Sequence, residues 1–470
     1  TMPVFRIFRH YIPASFILLG LFEAILLYLG FHAGVYLRFL GDSAAVTNSF
    51  GSLWPKGLVY ALIMMLCMIA VGLYDRTAWS LEGRSAMLLR VLASFVLAIF
   101  PLSLLFYLAP AILLWRGATL LVLGVSLLGI VITRLVFVRV VDQQVLRRRA
   151  LVLGAGKRAR HIRQLEKDLP LLGIEVVGYV HMDTDHEPLD DHRVFLRERP
   201  LQEIVSEKKI DEIILAVDDR RKGMPVHEIL SCKMDGVDVL DMLTFFERET
   251  GRVKLDLVNP SWMFLSDGFR VSVSSAIAKR TFDILVCLLL LPLFLPLMLI
   301  VALAVWLESP GQGSVLYSQV RVGQNNRDFT IYKFRSMRVD AESDGRARWA
   351  QKNDARITRV GALIRKARLD ELPQIFNVLK GDMSFVGPRP ERPAFVEELQ
   401  SQYPYYRERH RMRPGLTGWA QISYQYGDSA EDAYRKLEYD LYYVKNYSIF
   451  IDLLIILHTI HVVLTGKGAH

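Results

Sequence analysis

The sequence predicts a chain in three parts: a membrane α-helical bundle, an α/β Rossmann-like domain, and a mainly helical domain held at the membrane by a re-entrant helix. Three observations predict it. Four apolar runs of membrane-crossing length fill residues 1–142. Short apolar strands alternating with polar helical stretches occupy 147–260, and a fifth apolar run at 284–307 carries two prolines in its middle. A length of 470 residues leaves room for about three domains, each able to bury a core.

Composition narrows the partners. Apolar residues make up 52% of the chain, more than an ordinary soluble protein carries, beside a net charge of +9. That charge suits nucleic acid, anionic lipid or phosphorylated substrates, and the membrane segments set nucleic acid aside. Cys67, Cys232 and Cys287 are scattered, with neither a disulfide framework nor a zinc spacing, as expected in a reducing compartment.

The four N-terminal runs, 12–37, 58–74, 88–108 and 117–141, are each near the ~20 residues that cross ~30 Å of hydrocarbon. Glu23 and His32 interrupt the first and are expected to face other helices or water. Arg6 and Arg9 precede it, Arg76, Arg84 and Arg90 surround the second loop, and Arg134, Arg139 and Arg147-Arg148-Arg149 are counted after the fourth run. The bias places both ends of the bundle in the cytoplasm.

Strands are expected at 150–153, 175–180, 210–217 and 237–240, with helices between them, the pattern of a parallel α/β sheet. Gly154-Ala155-Gly156-Lys157 follows the first strand as in a dinucleotide fold, and Asp183 and Asp185 lie beyond the second, where a ribose-binding acid would sit. The signature is weak, because any βα turn packs on small residues. An assembly or regulatory module is the expectation here.

The fifth run is 24 residues without a charge, long enough to span. Pro292 and Pro296 each remove a backbone donor and leave the carbonyls of residues 288 and 292 unpaired. Spanning helices tolerate proline, so topology decides. A crossing here would export an arginine-rich remainder, against the positive-inside rule. A helix–break–helix hairpin that enters and leaves by one face avoids this.

The last part, 277–470, carries a series of motifs. In order they are Lys279-Arg280-Thr281-Phe282-Asp283, Ser309-Pro310-Gly311, Arg321-Val322-Gly323, Lys333-Phe334-Arg335-Ser336-Met337-Arg338, Leu369-Asp370-Glu371-Leu372-Pro373-Gln374, Gly381-Asp382-Met383-Ser384, Val386-Gly387-Pro388-Arg389-Pro390 and Arg413-Pro414-Gly415-Leu416-Thr417-Gly418. With them this part resembles the bacterial sugar transferase family, the monotopic phosphoglycosyl transferases. The whole chain resembles the large exopolysaccharide-type polyprenyl glycosylphosphotransferases.

The resemblance implies a monotopic catalytic domain at the bacterial inner membrane, facing the cytoplasm, in a homodimer. It implies transfer of a sugar-1-phosphate from a UDP-sugar to polyprenyl (undecaprenyl) phosphate, with release of UMP, as the first membrane step of exopolysaccharide or other glycan assembly. It also implies a magnesium requirement. Asn326 stands where many relatives carry glycine, and asparagine is the residue next best able to hold a left-handed turn.

The dyad Asp370-Glu371 lies in a stretch, 321–380, with fourteen Lys/Arg against seven Asp/Glu, a setting that favours ionised carboxylates. A carboxylate nucleophile divides transfer between two phosphates into two displacements through an acyl-phosphate. The resemblance carries the family's dyad onto Asp370, as nucleophile, and Glu371, as magnesium ligand or positioner of the nucleophile. Pro373 fits the first turn of a helix running to residue 379, which puts Asp370 at or beside its N-cap.

Lys333 and Arg335 alternate on one strand face. Arg335 or Arg338 is a candidate for the pyrophosphate, with a structural ion pair as the plain alternative. Pro388 and Pro390 stiffen the turn that carries Arg389, a candidate phosphate or uridine contact. Asp283 is expected to pair with an arginine. Segments 403–413 and 438–447 read as interfacial, and 450–464 as a helix lying on the membrane or on another subunit.

Two other readings remain in view. A nucleotide-sugar oxidoreductase needs a Tyr-x-x-x-Lys pair, which 154–275 does not supply. A non-catalytic scaffold gives no reason for the dyad and the basic strings to occur together.

Overall fold

The computed structural model describes residues 4–7, 10–74, 84–112, 114–142, 147–168, 174–183, 185, 189–196, 199–219, 224–258, 262, 268–269, 272–311, 313–338, 356–424 and 429–465. Arg9 and Arg76 of the charge argument lie outside them. The chain divides into two compact units, essentially Tyr11–Thr250 and Gly251–His470. The bundle and the parallel sheet fall together in the first.

The bundle comprises α1 (Ala14–Arg38), α2 (Ser43–Phe50), α3 (Trp54–Ala70), α4 (Arg84–Leu108) and α5 (Arg116–Asp142). The helices α1, α4 and α5 are long and apolar enough to cross a membrane. The second expected run differs: α3 has 17 residues and reaches that standard only together with α2, from which it bends by 75°. Leu27, Phe31, Met64, Met68, Phe95 and Ile130 form the shared core. Contact between α1 and α5 is close, for a Cβ on Gly34 would lie 2.5 Å from the Val122 backbone.

Glu23 faces another helix, as expected, and its partner is a surprise. Arg134, counted above as a charge beyond the fourth run, sits inside α5 and grips Glu23 at 2.6 and 2.8 Å. It also donates to the Leu73 carbonyl at 2.8 Å, while the Tyr74 hydroxyl donates to Glu23. Both charged groups are fully buried.

The sheet has five parallel strands, β1 (Arg148–Leu153), β2 (Ile174–Val180), β3 (Val194–Phe195), β4 (Glu212–Leu215) and β5 (Asp238–Asp241), in the order 3-2-1-4-5. Four of them match the expected strands to within a few residues; the two-residue β3 left no pattern to read. The order reverses beside β1, which leads into α6 (Lys157–Asp168).

In the second unit, α7 (Val273–Glu308) is one uninterrupted helix of 36 residues. The expected break at Pro292 and Pro296 is therefore absent. Both prolines lie on the exposed side, where a helix relieves the ring clash by bending rather than by unravelling. Its inward side is the stripe Cys287, Leu291, Phe294, Met298, Val301 and Val305, packed with Ile331, Phe334, Ile364, Ile375 and Val378 in one core.

Both ends of α7 are tied to this same unit. Lys279 pairs with Asp452 at 2.8 Å, and Arg280 donates to the Val378 and Leu379 carbonyls. At the far end Glu308 accepts from the Val360 amide at 3.0 Å. Among the described residues Asp283 has no arginine partner; it accepts from Ser384 Oγ at 2.8 Å and the Phe385 amide at 2.9 Å. One bond from a backbone amide and one from a buried hydroxyl fix the strand here.

An antiparallel hairpin follows, β6 (Leu316–Val322) with β7 (Asp328–Phe334). Asn325 and Asn326 turn it at φ +57° and +58°, the left-handed backbone expected of Asn326. Next come α8 (Arg359–Lys366), a 3-10 helix (Leu369–Gln374), α9 (Ile375–Lys380), and the parallel pair β8 (Ser384–Val386) and β9 (Gly415–Thr417).

The segments expected at an interface belong to the unit's own core. Leu437, Leu441, Tyr442 and Tyr443 of α10 (Ala430–Asn446) and Ile451 and Ile455 of α11 (Ile449–Thr465) are buried together. Arg409 pairs with Asp440 inside at 2.7 Å. Tyrosines and charges at helical spacing suit an interface and a polar core equally, so the pattern alone did not decide.

Candidate active site

The site is built where α8 gives way to the 3-10 helix. Arg368, at φ +59°, makes the turn, and Asp370 lies in the first turn that follows. Asp370 is thus not the N-cap of an α-helix, since α9 begins only at Ile375. A 3-10 helix has three residues per turn, so Asp370 and Glu371 point about 120° apart.

Glu371 is the paired member of the dyad. Its Oε1 accepts from Lys333 Nζ, on β7, at 2.7 Å and from the Arg389 guanidinium at 2.7 Å. Burial opposes its charge, but Arg389 and Lys333 outweigh burial and hold the carboxyl well below the usual glutamate range. Pro388 and Pro390 are buried on either side of Arg389, where the Pro388 carbonyl accepts from the Gly415 amide and the Pro390 carbonyl from Arg321. The arginine is therefore aimed by a rigid turn.

Asp370 is the open member. Among the described residues no hydrogen bond reaches its carboxylate. Burial and then the charge of Glu371 raise its carboxyl above the ordinary aspartate range, against the pull of Lys333, Arg365 and Arg368. A basic neighbourhood alone suggested two ionised carboxylates; burial separates them.

Of the residues singled out from sequence, Lys333, Asp370, Glu371 and Arg389 are brought together. Arg335 and Arg338 are placed by their backbone bonds, the Arg335 amide donating to the Val315 carbonyl and the Arg338 amide to the Arg356 carbonyl. Sequence reasoning did not single out Arg321, Arg365 and Arg368. Arg321 is buried, which together with nearby Arg389 and Arg392 presses it below the usual arginine range against the help of Glu391. The 365/368 spacing immediately before the dyad was the available signal.

The carboxylates also bear on magnesium. Among the described residues no three metal-type side chains converge. Magnesium commonly takes one or two carboxylates, with phosphate oxygens and waters completing the shell. The unpaired Asp370 carboxylate and the Oε2 of Glu371 fit that pattern, whereas Oε1 is taken by two cations.

Residues 274–466 match the family model described as bacterial sugar transferase, and residues 70–239 match one described as a CoA-binding domain. The chain is 46% identical over 252 residues to the UDP-N-acetylgalactosamine-undecaprenyl-phosphate N-acetylgalactosaminephosphotransferase of Aeromonas hydrophila, covering 54% of this chain and 58% of that protein. It is 32% identical over 329 residues to the UDP-glucose:undecaprenyl-phosphate glucose-1-phosphate transferase of Escherichia coli, covering 69% of each. A protein of the same description from Caulobacter vibrioides is 41% identical over 203 residues, 43% of this chain and 74% of the relative. With a relative above 30% identity matched over two thirds of its length, the chain belongs to the bacterial sugar transferase family.

Proposed function

We propose that the protein transfers a sugar-1-phosphate from a UDP-sugar to polyprenyl phosphate, undecaprenyl phosphate in the relatives' case, and releases UMP. The observation that carries this reading is a carboxylate left open among the described residues, Asp370, beside a carboxylate clamped by Lys333 and Arg389.

In the first displacement the Asp370 carboxylate attacks the sugar-bearing phosphorus. The bond to the bridging oxygen breaks, and its electron pair leaves with UMP. In the second, a phosphate oxygen of the polyprenyl phosphate attacks the aspartyl-phosphosugar. The Asp370 carboxylate departs, and the polyprenyl diphosphate sugar is formed. Catalysis of this kind is mainly positioning and charge neutralisation.

Arg389, Lys333, Arg321, Arg365 and Arg368 supply the cationic surround, with Arg335 and Arg338 as further pyrophosphate contacts. Glu371 holds Lys333 and Arg389 in place. Glu371 and Asp370 would hold magnesium, which would supply positive charge to neutralise anionic phosphate oxygens. We place the enzyme in the bacterial inner membrane, with α7 re-entrant by a bend at Pro292 and Pro296 within the continuous helix, the active site on the cytoplasmic face and the chain a homodimer. Ties from both ends of α7 to one unit support the re-entrant reading. The expected role is the first membrane step of exopolysaccharide or other glycan assembly.

The test is UMP release from a panel of UDP-sugars, including UDP-glucose and UDP-N-acetylgalactosamine, by purified protein with magnesium and undecaprenyl phosphate. Release with one sugar, abolished by Asp370→Asn in a folded protein, is the expected result. Unchanged release by that variant sinks the nucleophile assignment, and silence across the panel sinks the reaction.

A further inference from the structure

The glycine turn of the sheet domain, Gly154-Ala155-Gly156, looks built for a phosphate. In dinucleotide folds such a turn leaves the first amides of the following helix free, and the pyrophosphate settles on them. Here those amides are occupied. The Asp218 carboxylate, from the loop after β4, accepts from the Lys157 amide at 3.0 Å and the Arg158 amide at 2.9 Å. It therefore spans the N-terminus of α6 at the point where the strand order reverses.

Gly156 is needed for this carboxylate. A Cβ there would fall 2.2 Å from Asp218 Oδ2. The close approach that a pyrophosphate requires of this glycine is used by the protein itself. Asp185, a candidate for the ribose-binding acid, is likewise turned inward. Its Oδ2 accepts from the Ala155 amide at 2.7 Å and the Met182 amide at 2.8 Å. A phosphate entering the turn would have to displace Asp218 and still lie close to the charge of both carboxylates, and like charges at such range repel.

We infer that the α/β domain takes neither CoA nor a dinucleotide, because Asp218 stands in the phosphate's place and Asp185 closes the turn beneath it. The residues present do not fit the ligand that the matched family model describes. The two aspartates serve as a built-in anion: they cap α6 and hold its loop to the sheet.

Amide hydrogen exchange on the full-length protein tests this. With CoA or NAD+ added at about 1 mM, a concentration that detects even weak binding, exchange across residues 154–158 is expected to stay unchanged. Ligand-induced protection of those amides overturns the inference. In Asp218→Ala the Lys157 and Arg158 amides should exchange about tenfold faster, the loss typical of a removed cap, and inorganic phosphate should slow them again. Unchanged exchange in that variant also overturns it. Asp218→Asn keeps an acceptor without the charge, and serves if the alanine variant does not fold; the same phosphate-dependent slowing is expected of it, and its absence counts against the inference.

Discussion

Asp370 and Glu371 are neighbours in sequence whose carboxyls are shifted in opposite directions. The raised Asp370 carboxyl is protonated more readily in the folded protein than in the unfolded chain. Its contribution to stability is thus fully present below the unfolded value and is lost as pH rises through the folded one. Glu371 runs the other way: its lowered carboxyl stabilises above the unfolded value and ceases to do so as pH falls through the folded one. Asp370→Asn should therefore leave the melting temperature equal or higher at neutral pH while transfer is lost, a trade between stability and activity. A nucleophile must be ionised, so the acid limb of the pH–rate profile should lie above the ordinary aspartate range. Glu371→Gln removes the neighbouring charge that raises Asp370, and the limb should move to lower pH. A limb that stays put, or moves up, contradicts this account. The dyad, Lys333 and Arg389 were legible as motif residues. The division of charge was not, because it depends on how deeply each carboxyl is buried and on Arg365 and Arg368 arriving through a left-handed turn.

At the scale of elements, α7 shows how a pattern can be read correctly and still mislead about local structure. Two prolines in an apolar run argued for a break, and the helix continues through both, with each on its exposed side. The run's attachment was decided by residues outside it: Lys279, Arg280 and Asp283 at one end and Glu308 at the other. Single cysteines at Ser274 and Pro310, which are exposed while the three native cysteines are buried, should both react with an impermeant maleimide from the cytoplasmic side. Labelling from opposite sides would make α7 a crossing helix. The sheet strands were legible because continuous apolar stretches of β-branched residues leave little choice. The tyrosine-rich α10 was not, since its periodicity fits a membrane surface as well as the core that it enters.

For the whole molecule, each unit carries its own apolar core, and the first adds a buried charge pair between α1 and α5. Glu23→Ala removes the carboxylate that grips the buried Arg134, which should destabilise the bundle by about 3–5 kcal/mol. Thermal unfolding in detergent checks this, and a companion Arg134→Leu should restore much of the loss. A melting point unmoved by Glu23→Ala would show that water reaches the pair. The ten large apolar side chains that α7 leaves exposed between residues 285 and 307 have a separate consequence. If lipid covers them at even ~1.5 kcal/mol each, together they hold the protein to the bilayer by about 15 kcal/mol, suppressing escape into water by about ten orders of magnitude. Such a protein has no free pool in the cell. On the proposed reaction it would meet its lipid acceptor by lateral diffusion in two dimensions, while the nucleotide donor arrives from the third.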